Sequence, residues 1–233
     1  MTDGGGRGTG RERVPLTRER VLRTAIEVLD AEGVDALTMR RLGLATGVEA
    51  MSLYHHVANK DDVLGGVVDL LIDEIPLVAP RPEWRSALSE QVMAGRAQFS
   101  AHPWAATLVI RQREVRPAYL RYLDRVTGIM LAGGLSHQLA HTAMHVLDTR
   151  VFGFSQEFVE MPDLGPEIAG ILDGSKAHLY PHISETMDDI EHDEDAEFAF
   201  ALDLLLEGLE ARRRSGDVPS RKPASPPSGR GSG

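Results

Sequence analysis

Residues 37–60 of the chain read LTMRRLGLATGVEAMSLYHHVANK, a pattern typical of two short helices joined by a tight turn. Thr38 is a residue type that caps helix N-termini, and apolar Met39 and Leu42 share one face of the helix that follows it. Gly47 stands where this helix should end, because glycine readily adopts the left-handed conformation of a helix C-terminus. A second helix is predicted over residues 50–57. Two short helices arranged in this way form a helix-turn-helix, whose second helix enters the major groove of DNA.

Further helices are predicted on both sides of this stretch. Thr17 should cap a helix that extends to residue 32. Asn59 should cap a longer helix over residues 60–75, with Asp62 completing a capping box. This longer helix is apolar on more than one side, and a group of prolines stops it: Pro76, Pro80 and Pro82. We therefore expect a DNA-binding domain with a connector helix over residues 17–76.

The remainder of the chain has helical periodicity and no alternating strand pattern. Helices are predicted over residues 84–101, 103–111, 117–132, 136–158 and 195–214. The fold class is thus all-α, with a helical domain over residues 77–214 that is larger than the first. Residues 1–16 form a basic arm and residues 215–233 a Ser/Pro/Gly/Arg-rich tail, and both are predicted to be disordered.

Composition restricts the classes of function. The chain has 233 residues, a formal net charge of −10 and no cysteine, so disulfides and thiolate metal sites are excluded. The acidic balance argues against a protein that packages DNA by charge alone. Neither a signal peptide nor an apolar run long enough to cross a membrane is visible, so we expect a cytoplasmic protein without a membrane partner.

The start of the second helix in the pair is expected to face base edges. Ala50, Met51 and Ser52 lie there; Ser52 can form hydrogen bonds and Met51 can contact a thymine methyl group. Tyr54 and His56 offer a hydroxyl and an imidazole to phosphates or bases. His55 is instead expected to face the core or the next helix. Three-helix cores without a DNA function share this spacing, so the pattern alone leaves that alternative open.

Residues 17–71 resemble the N-terminal domain of the TetR (tetracycline-repressor) family of regulators, and the resemblance is most specific in GVEAMSLYHHVANK at 47–60. It implies that Tyr54, His56 and Lys60 contact DNA bases or backbone, and that Thr38 and Arg40 act from the preceding helix. It also implies that tilting of the connector helix changes the separation of two DNA-binding domains in a dimer. A small-molecule effector is implied for the second domain.

The effector pocket is expected between helices, lined by apolar and aromatic groups with a few polar ones. The candidates are Gln91, Phe99, Trp104, Arg111, His145, Arg150 and Phe152. The second domain resembles that of the tetracycline repressors more loosely than the first. Val109 stands where those repressors carry the histidine that binds the drug's magnesium, so an apolar or aromatic effector is expected in place of a tetracycline–magnesium complex. No cofactor is expected.

Two helices carry more apolar surface than one small domain needs to bury, which predicts a homodimer formed as a four-helix bundle. The residues assigned to this interface are Leu139, Ala143, Val146, Phe198, Leu202, Leu205 and Leu209. Core packing within one chain is the alternative. A dimer also suits the expected function, because one short recognition helix reads too few base pairs and a two-fold protein matches a palindrome.

Four residues on one predicted helical face raise the question of a metal site: His137, His141, His145 and Asp148. A polar stripe, or histidines that line a pocket or a dimer interface, is the commoner meaning of such spacing, so no metal site is assigned. The sequence contains no HExxH, Gly-rich phosphate loop or GxSxG motif, and an enzyme is not expected.

The function predicted from these features is a ligand-responsive repressor that binds a palindromic operator as a homodimer and is released by a small effector. A transcriptional activator or a corepressor-dependent regulator would have the same sequence features and differ only in the sign of the coupling. A helical metal-dependent enzyme built on the histidine stripe is the remaining alternative.

Overall fold

The computed structural model describes residues 15–111, 116–148, 177–182 and 193–216. Within these ranges all the regular structure is helical, which confirms the all-α fold class. The chain divides into two compact units, residues 1–70 and 71–233, and the division falls inside the fourth helix. Nearly all of the basic arm and of the tail lies outside the described residues.

The first unit contains α1 (Arg18–Glu32), α2 (Met39–Thr46), α3 (Ala50–Leu53) and most of α4 (Lys60–Asp73). Both predicted caps outside the helix pair are confirmed: the Thr17 hydroxyl accepts a hydrogen bond from the Arg20 backbone N–H at 3.1 Å, and the Asn59 side chain accepts one from the Asp62 N–H at 2.9 Å. The core of the unit is aliphatic and consists of Val21, Leu22, Ala25, Val28, Leu29, Leu37, Leu42, Leu53, Val57, Val63, Val67 and Val68.

In the described residues, the long helices of the second unit are α5 (Trp84–Ala101), α6 (Pro103–Arg111), α7 (Pro117–Ala132), α8 (His137–Asp148) and α9 (Glu194–Ser215). The predicted bounds of α5, α6 and α7 are confirmed, and α9 is one residue longer at each end than predicted. The helix predicted over residues 136–158 is present as α8, and the part of the prediction beyond Asp148 lies outside the described residues. Among the residues described between α8 and α9, Ala177–Leu179 form a 3-10 turn.

α5 is the central helix of the second unit and packs against α6, α7 and α9, while α8 packs against α7 and α9. The end of α7 lies directly on the start of α5. A Cβ atom on Gly133 would be 2.2 Å from Cγ of Trp84, so only glycine permits this approach. Helices packed this closely bury large side chains, among them Leu88, Phe99, Tyr122, Ile129 and Met130.

Candidate DNA-binding surface and effector cavity

α2 is fixed at both ends by the residues that the sequence singled out. Oγ1 of Thr38 accepts a hydrogen bond from the Arg41 backbone N–H at 3.0 Å, which satisfies an N–H group that a helix start leaves without a partner. Gly47 ends the helix with a φ of 73°, in the left-handed region. The exposed Thr38 side chain keeps its hydroxyl hydrogen, so it can cap α2 and still donate to a phosphate.

Gly43 allows α2 and α3 to approach each other closely. A Cβ atom at this position would be 3.0 Å from the Val48 carbonyl oxygen and 3.1 Å from the Ala50 backbone nitrogen. These distances are shorter than ordinary van der Waals contacts, so a side chain here would push the start of α3 away from α2. The sequence analysis missed Gly43, although two glycines four residues apart, at positions 43 and 47, were a signal for it.

The second helix of the pair is shorter than predicted. α3 spans Ala50–Leu53, and Tyr54, His55 and His56 form a turn instead of continuing it as the 50–57 prediction required. The Leu53 carbonyl oxygen accepts the N–H groups of both His56, at 2.8 Å, and Val57, at 3.0 Å, which closes the chain into the turn. The prediction extended too far because the apolar spacing continues through the turn, where the chain already reverses toward α4.

The predicted base-contacting residues lie on the exposed part of this pair. Met51 is 73% exposed, Ala50 and Ser52 are partly exposed, and Tyr54 is 47% exposed. His56 is partly buried. His55 is exposed, which corrects the expectation that it faces the core: Leu53 is the side chain of this segment that fills the core, and His55 lies in the turn beyond it.

The large exposed apolar side chains in the described part of the first unit all lie on α2, α3 or the turn after α3. They are Leu44, Met51 and Tyr54. Since the core of this unit is already filled by aliphatic residues, these three side chains remain available to a binding partner. Leu44, 71% exposed, was not singled out from the sequence because a leucine in a short helix is normally a core residue.

Arg18 of α1 binds the turn after α3 and the start of α4. The Arg18 guanidinium forms two hydrogen bonds with the Asp62 carboxylate, at 2.6 and 2.9 Å, and a third with the His56 carbonyl oxygen at 3.0 Å. Asp62 also accepts the Ala58 backbone N–H at 2.8 Å. The start of α1, the turn after α3 and the start of α4 therefore share one network. Its hydrogen bonds to Asp62 are the main reason why the pKa of Arg18 is raised.

Of the two adjacent arginines in α2, only one is neutralised within the unit. Arg41 forms a bidentate pair with Glu32, which lowers the pKa of Glu32 and raises that of Arg41, chiefly through their hydrogen bonds. Arg40 is exposed and has no hydrogen bond or ion pair within the described residues. Arg40 is accordingly the α2 cation that is available to a phosphate or a base.

Lys60 occupies the position expected for a phosphate contact, but its side chain already has a partner. Its Nζ atom donates to the Val34 carbonyl oxygen at 3.2 Å, and the side chain is partly buried. This contact ties the start of α4 to the loop after α1. Because an ammonium group has three N–H donors, one such bond leaves donors for a phosphate.

In the described part of the second unit, Gln91, Phe99, Trp104 and His145 are not among the residues that line the apolar cleft between α5, α8 and α9. Gln91 is fully buried, and its side chain accepts from the Val78 N–H at 2.9 Å and donates to the Pro76 carbonyl oxygen at 3.2 Å. It therefore fixes the segment after α4, and both ends of its amide are used in doing so. Phe99 is fully buried core.

Two further candidate effector residues, Trp104 and His145, are described by the structure. Trp104 is half-buried, with its ring centre 5.9 Å from that of His102, and His145 is exposed, stacked edge-on with His141 at 4.7 Å. Arg111 ends α6, and its side chain lies outside the described part of the structure, as do Arg150 and Phe152.

An apolar cleft of about 130 Å³ opens between α5, α8 and α9. Its lining is Val92, Val146, Leu147, Phe198, Ala201, Leu202 and Leu205. The sequence analysis named several of these residues, but as parts of a dimer interface. Arg96, one helical turn after Val92, is a buried arginine that the sequence analysis missed, because a lone arginine in a helical pattern usually indicates the exposed face.

Five of the residues assigned to the dimer interface are buried inside the single chain: Leu139, Ala143, Phe198, Leu202 and Leu209. A side chain covered by its own chain offers little surface to a partner, and the assignment of these five residues to a dimer interface stays a prediction. Val146 is exposed and Leu205 partly exposed, so these two remain available. On α9 the large exposed apolar side chains are Phe200, 66% exposed, and Leu204.

The histidine stripe of α8 is exposed at all three positions, His137, His141 and His145. Among the residues that the structure describes, no group of three or more His, Cys, Asp or Glu side chains is placed to hold a metal ion. In the same residues, no helix combines the length and the apolar character needed to cross a membrane.

Two descriptions of protein families match the chain. "Bacterial regulatory proteins, tetR family" matches residues 21–67, which span most of α1 and all of α2 and α3. "Tetracyclin repressor-like, C-terminal domain" matches residues 77–213, more than half of the chain, which includes α5 to α8 and most of α9.

Individual relatives agree with these matches. The HTH-type transcriptional repressor DrrR1 of Streptomyces coeruleorubidus is 26% identical over 94% of this chain and 87% of its own length. The crystal structure of apo ActR from Streptomyces coelicolor has a TM-score of 0.75 and 30% identity, covering 88% of this chain and 99% of ActR. ActR in complex with actinorhodin has a TM-score of 0.73, with 86% of this chain and 99% of that chain covered. The chain belongs to the TetR family of helix-turn-helix transcriptional repressors, and the family and the repressor class of function predicted from its sequence are confirmed.

Proposed function

We propose that this protein is a homodimeric repressor that binds a palindromic operator through α2 and α3 and leaves it when a small apolar or aromatic effector binds the second unit. The observation that carries the DNA-binding part is the exposure of Leu44, Met51 and Tyr54 beside the unpaired cation Arg40. Apolar side chains can contact thymine methyl groups, and a free guanidinium can bind a guanine or a phosphate.

The dimer is proposed to form through the exposed apolar side chains of α8 and α9. Phe200 and Leu204 lie one helical turn apart on α9, and Val146 is exposed on α8. Two copies related by a two-fold axis would present two helix pairs to the half-sites of a palindrome, separated by about 34–36 Å or a multiple of it.

The effector is proposed to bind the apolar cleft between α5, α8 and α9. An apolar lining favours a ligand of the same character. The existence of an actinorhodin complex of ActR, a relative with 30% identity, supports a small-molecule effector for this chain as well. DNA and effector weaken each other's binding by the same factor, and a coupling of about 1–3 kcal/mol would change operator affinity roughly five- to 150-fold.

Selection of bound DNA from a random-sequence library tests this proposal. The expected product is a two-fold symmetric motif whose half-sites are spaced by about one turn of B-DNA or a multiple of it. On the selected DNA, Tyr54→Ala and Met51→Ala should each weaken binding by about 1 kcal/mol or more. Leu77→Ala, which removes an exposed apolar side chain outside the first unit, is the matched control and should change nothing. Recovery of no motif, or equal loss in all three variants, would contradict the proposal.

A further inference from the structure

Arg96 is a charged residue that is buried. Neither the DNA-binding surface nor the apolar packing of the helices requires a cation at this position. Its side chain is only 6% exposed, although it lies in an α5 whose other buried residues are mainly apolar. Burying a guanidinium is costly unless the charge is paired and hydrogen-bonded. An arginine kept at this depth therefore indicates a requirement for an anion at that position.

One carboxylate that pairs with Arg96, that of Asp195, is well placed to leave. Oδ1 of Asp195 accepts from Nε of Arg96 at 3.1 Å and lies 3.0 Å from Nη2, yet the Asp195 side chain is 82% exposed. Asp195 lies in the first turn of α9, where the partial positive charge of the helix N-terminus and water both stabilise a carboxylate. Asp195 can thus give up this contact at small cost, whereas Arg96 cannot move into water.

Arg96 also contacts a residue that lines the apolar cleft. Its guanidinium carbon is 4.4 Å from the centre of the Phe198 ring, and Phe198 lines the cleft. Val92, one helical turn earlier on the same face of α5, lines it as well. The cleft volume of about 130 Å³ is close to that of an apolar cavity of about 150 Å³ that binds benzene.

We propose that the cleft and Arg96 together bind a small organic acid, whose apolar part occupies the cleft and whose carboxylate takes the place of Asp195 on Arg96. The planar guanidinium suits this exchange, because it can bind a carboxylate through two parallel hydrogen bonds. This inference rests on the proposed function, in that the acid is the chemical class assigned to the effector.

The test compares two aromatic probes of nearly the same shape, 2-naphthoate and the neutral alcohol 2-naphthalenemethanol, by fluorescence titration of the full chain. The wild-type protein should prefer the acid. Arg96→Met keeps the volume but removes the charge, and should weaken 2-naphthoate binding by about tenfold or more, while the alcohol changes by less than about twofold. Arg81→Met, which removes an arginine paired with Glu90 away from the cleft lining, should leave both probes unchanged.

A second variant keeps the proposal testable if Arg96→Met does not fold. Asp195→Asn retains the guanidinium and removes the competing charge, so it should tighten 2-naphthoate binding without affecting the alcohol. Equal effects of either variant on both probes, weaker acid binding by Asp195→Asn, or a wild-type protein without preference for the acid would overturn the proposal.

The proposed acid site and the proposed repressor function can fail independently of each other, because operator binding is measured without either probe. A protein that binds its selected operator but does not distinguish the two probes would overturn the proposed acid site without contradicting the proposed repressor function. Discrimination of the probes by a protein that binds no operator would support the acid site and count against the repressor.

Discussion

Exposed apolar side chains occur in both units, but their surroundings differ. On α2 and the α3 turn, Leu44, Met51 and Tyr54 accompany the unpaired cation Arg40. On α9, Phe200 and Leu204 alternate with exposed acids, Glu197, Asp203 and Glu207. A polyanion such as DNA suits the first surface and is repelled by the second, which suits another protein surface. The charge next to an apolar surface therefore indicates which kind of partner it meets.

The largest expected effect distinguishes a core residue of α9 from a residue of the proposed dimer interface on the same helix. Phe198→Ala removes a ring that is 2% exposed, and should lower the free energy of unfolding by about 3–5 kcal/mol. Phe200→Ala removes an exposed ring and should weaken self-association instead, moving the monomer–dimer equilibrium toward the monomer. Denaturant unfolding and sedimentation at several protein concentrations distinguish the two. Dimers of unchanged stability in Phe200→Ala would show that this surface is not the interface.

Two glycines, Gly43 in the first unit and Gly208 in the second, allow a further comparison of the two units. Gly43→Ala forces a methyl group against the Val48 carbonyl and the start of α3, and should cost about 1–3 kcal/mol of stability and weaken operator binding. Gly208→Ala in α9 meets nothing within 4 Å and should stabilise the protein by about 0.5–1 kcal/mol. Thermal unfolding of both variants checks these opposite signs. A neutral Gly43→Ala would mean that α2 and α3 are not held as closely as described.

The smallest expected effect concerns the end of α9. Hydrogen bonds from Arg213, and then Arg214, lower the pKa of Glu210 from 4.5 to about 2. Because the folded-state pKa is depressed, the stabilisation is complete above about pH 4.5 and is lost as the pH falls toward 2. Glu210→Gln should therefore make stability less dependent on pH in this window and leave operator binding at neutral pH unchanged. The measurement is urea unfolding of both proteins across the window, and identical pH profiles would refute the pairing.

Helix positions could be predicted from the sequence wherever local chemistry decides them. The side chains of Thr17, Thr38 and Asn59 and the backbone of Gly47 end or begin helices through contacts within a few residues. Such contacts are encoded by neighbouring residues, which is why most of the bounds could be inferred. α3 was the exception, because its apolar spacing runs on through a turn that is set by packing against the rest of the unit.

Burial within the second unit could not be predicted in the same way. Both neighbouring faces of α9 are apolar, and the periodicity does not say whether Phe198 or Phe200 meets the rest of the chain. For the same reason, the contacts of Gln91 and the burial of Arg96 were not predicted. Their roles depend on residues far away in sequence, Pro76 and Val78 for Gln91 and Asp195 for Arg96.

The most direct test of the repressor account is a titration of the purified protein on the DNA immediately upstream of its own gene and on the selected palindrome, at fixed salt with excess random DNA as competitor. The account predicts a saturable complex that contains two protomers on the palindrome and is weakened by Tyr54→Ala. Binding to the palindrome that is no tighter than binding to random DNA, or a saturated complex with one protomer, would contradict it.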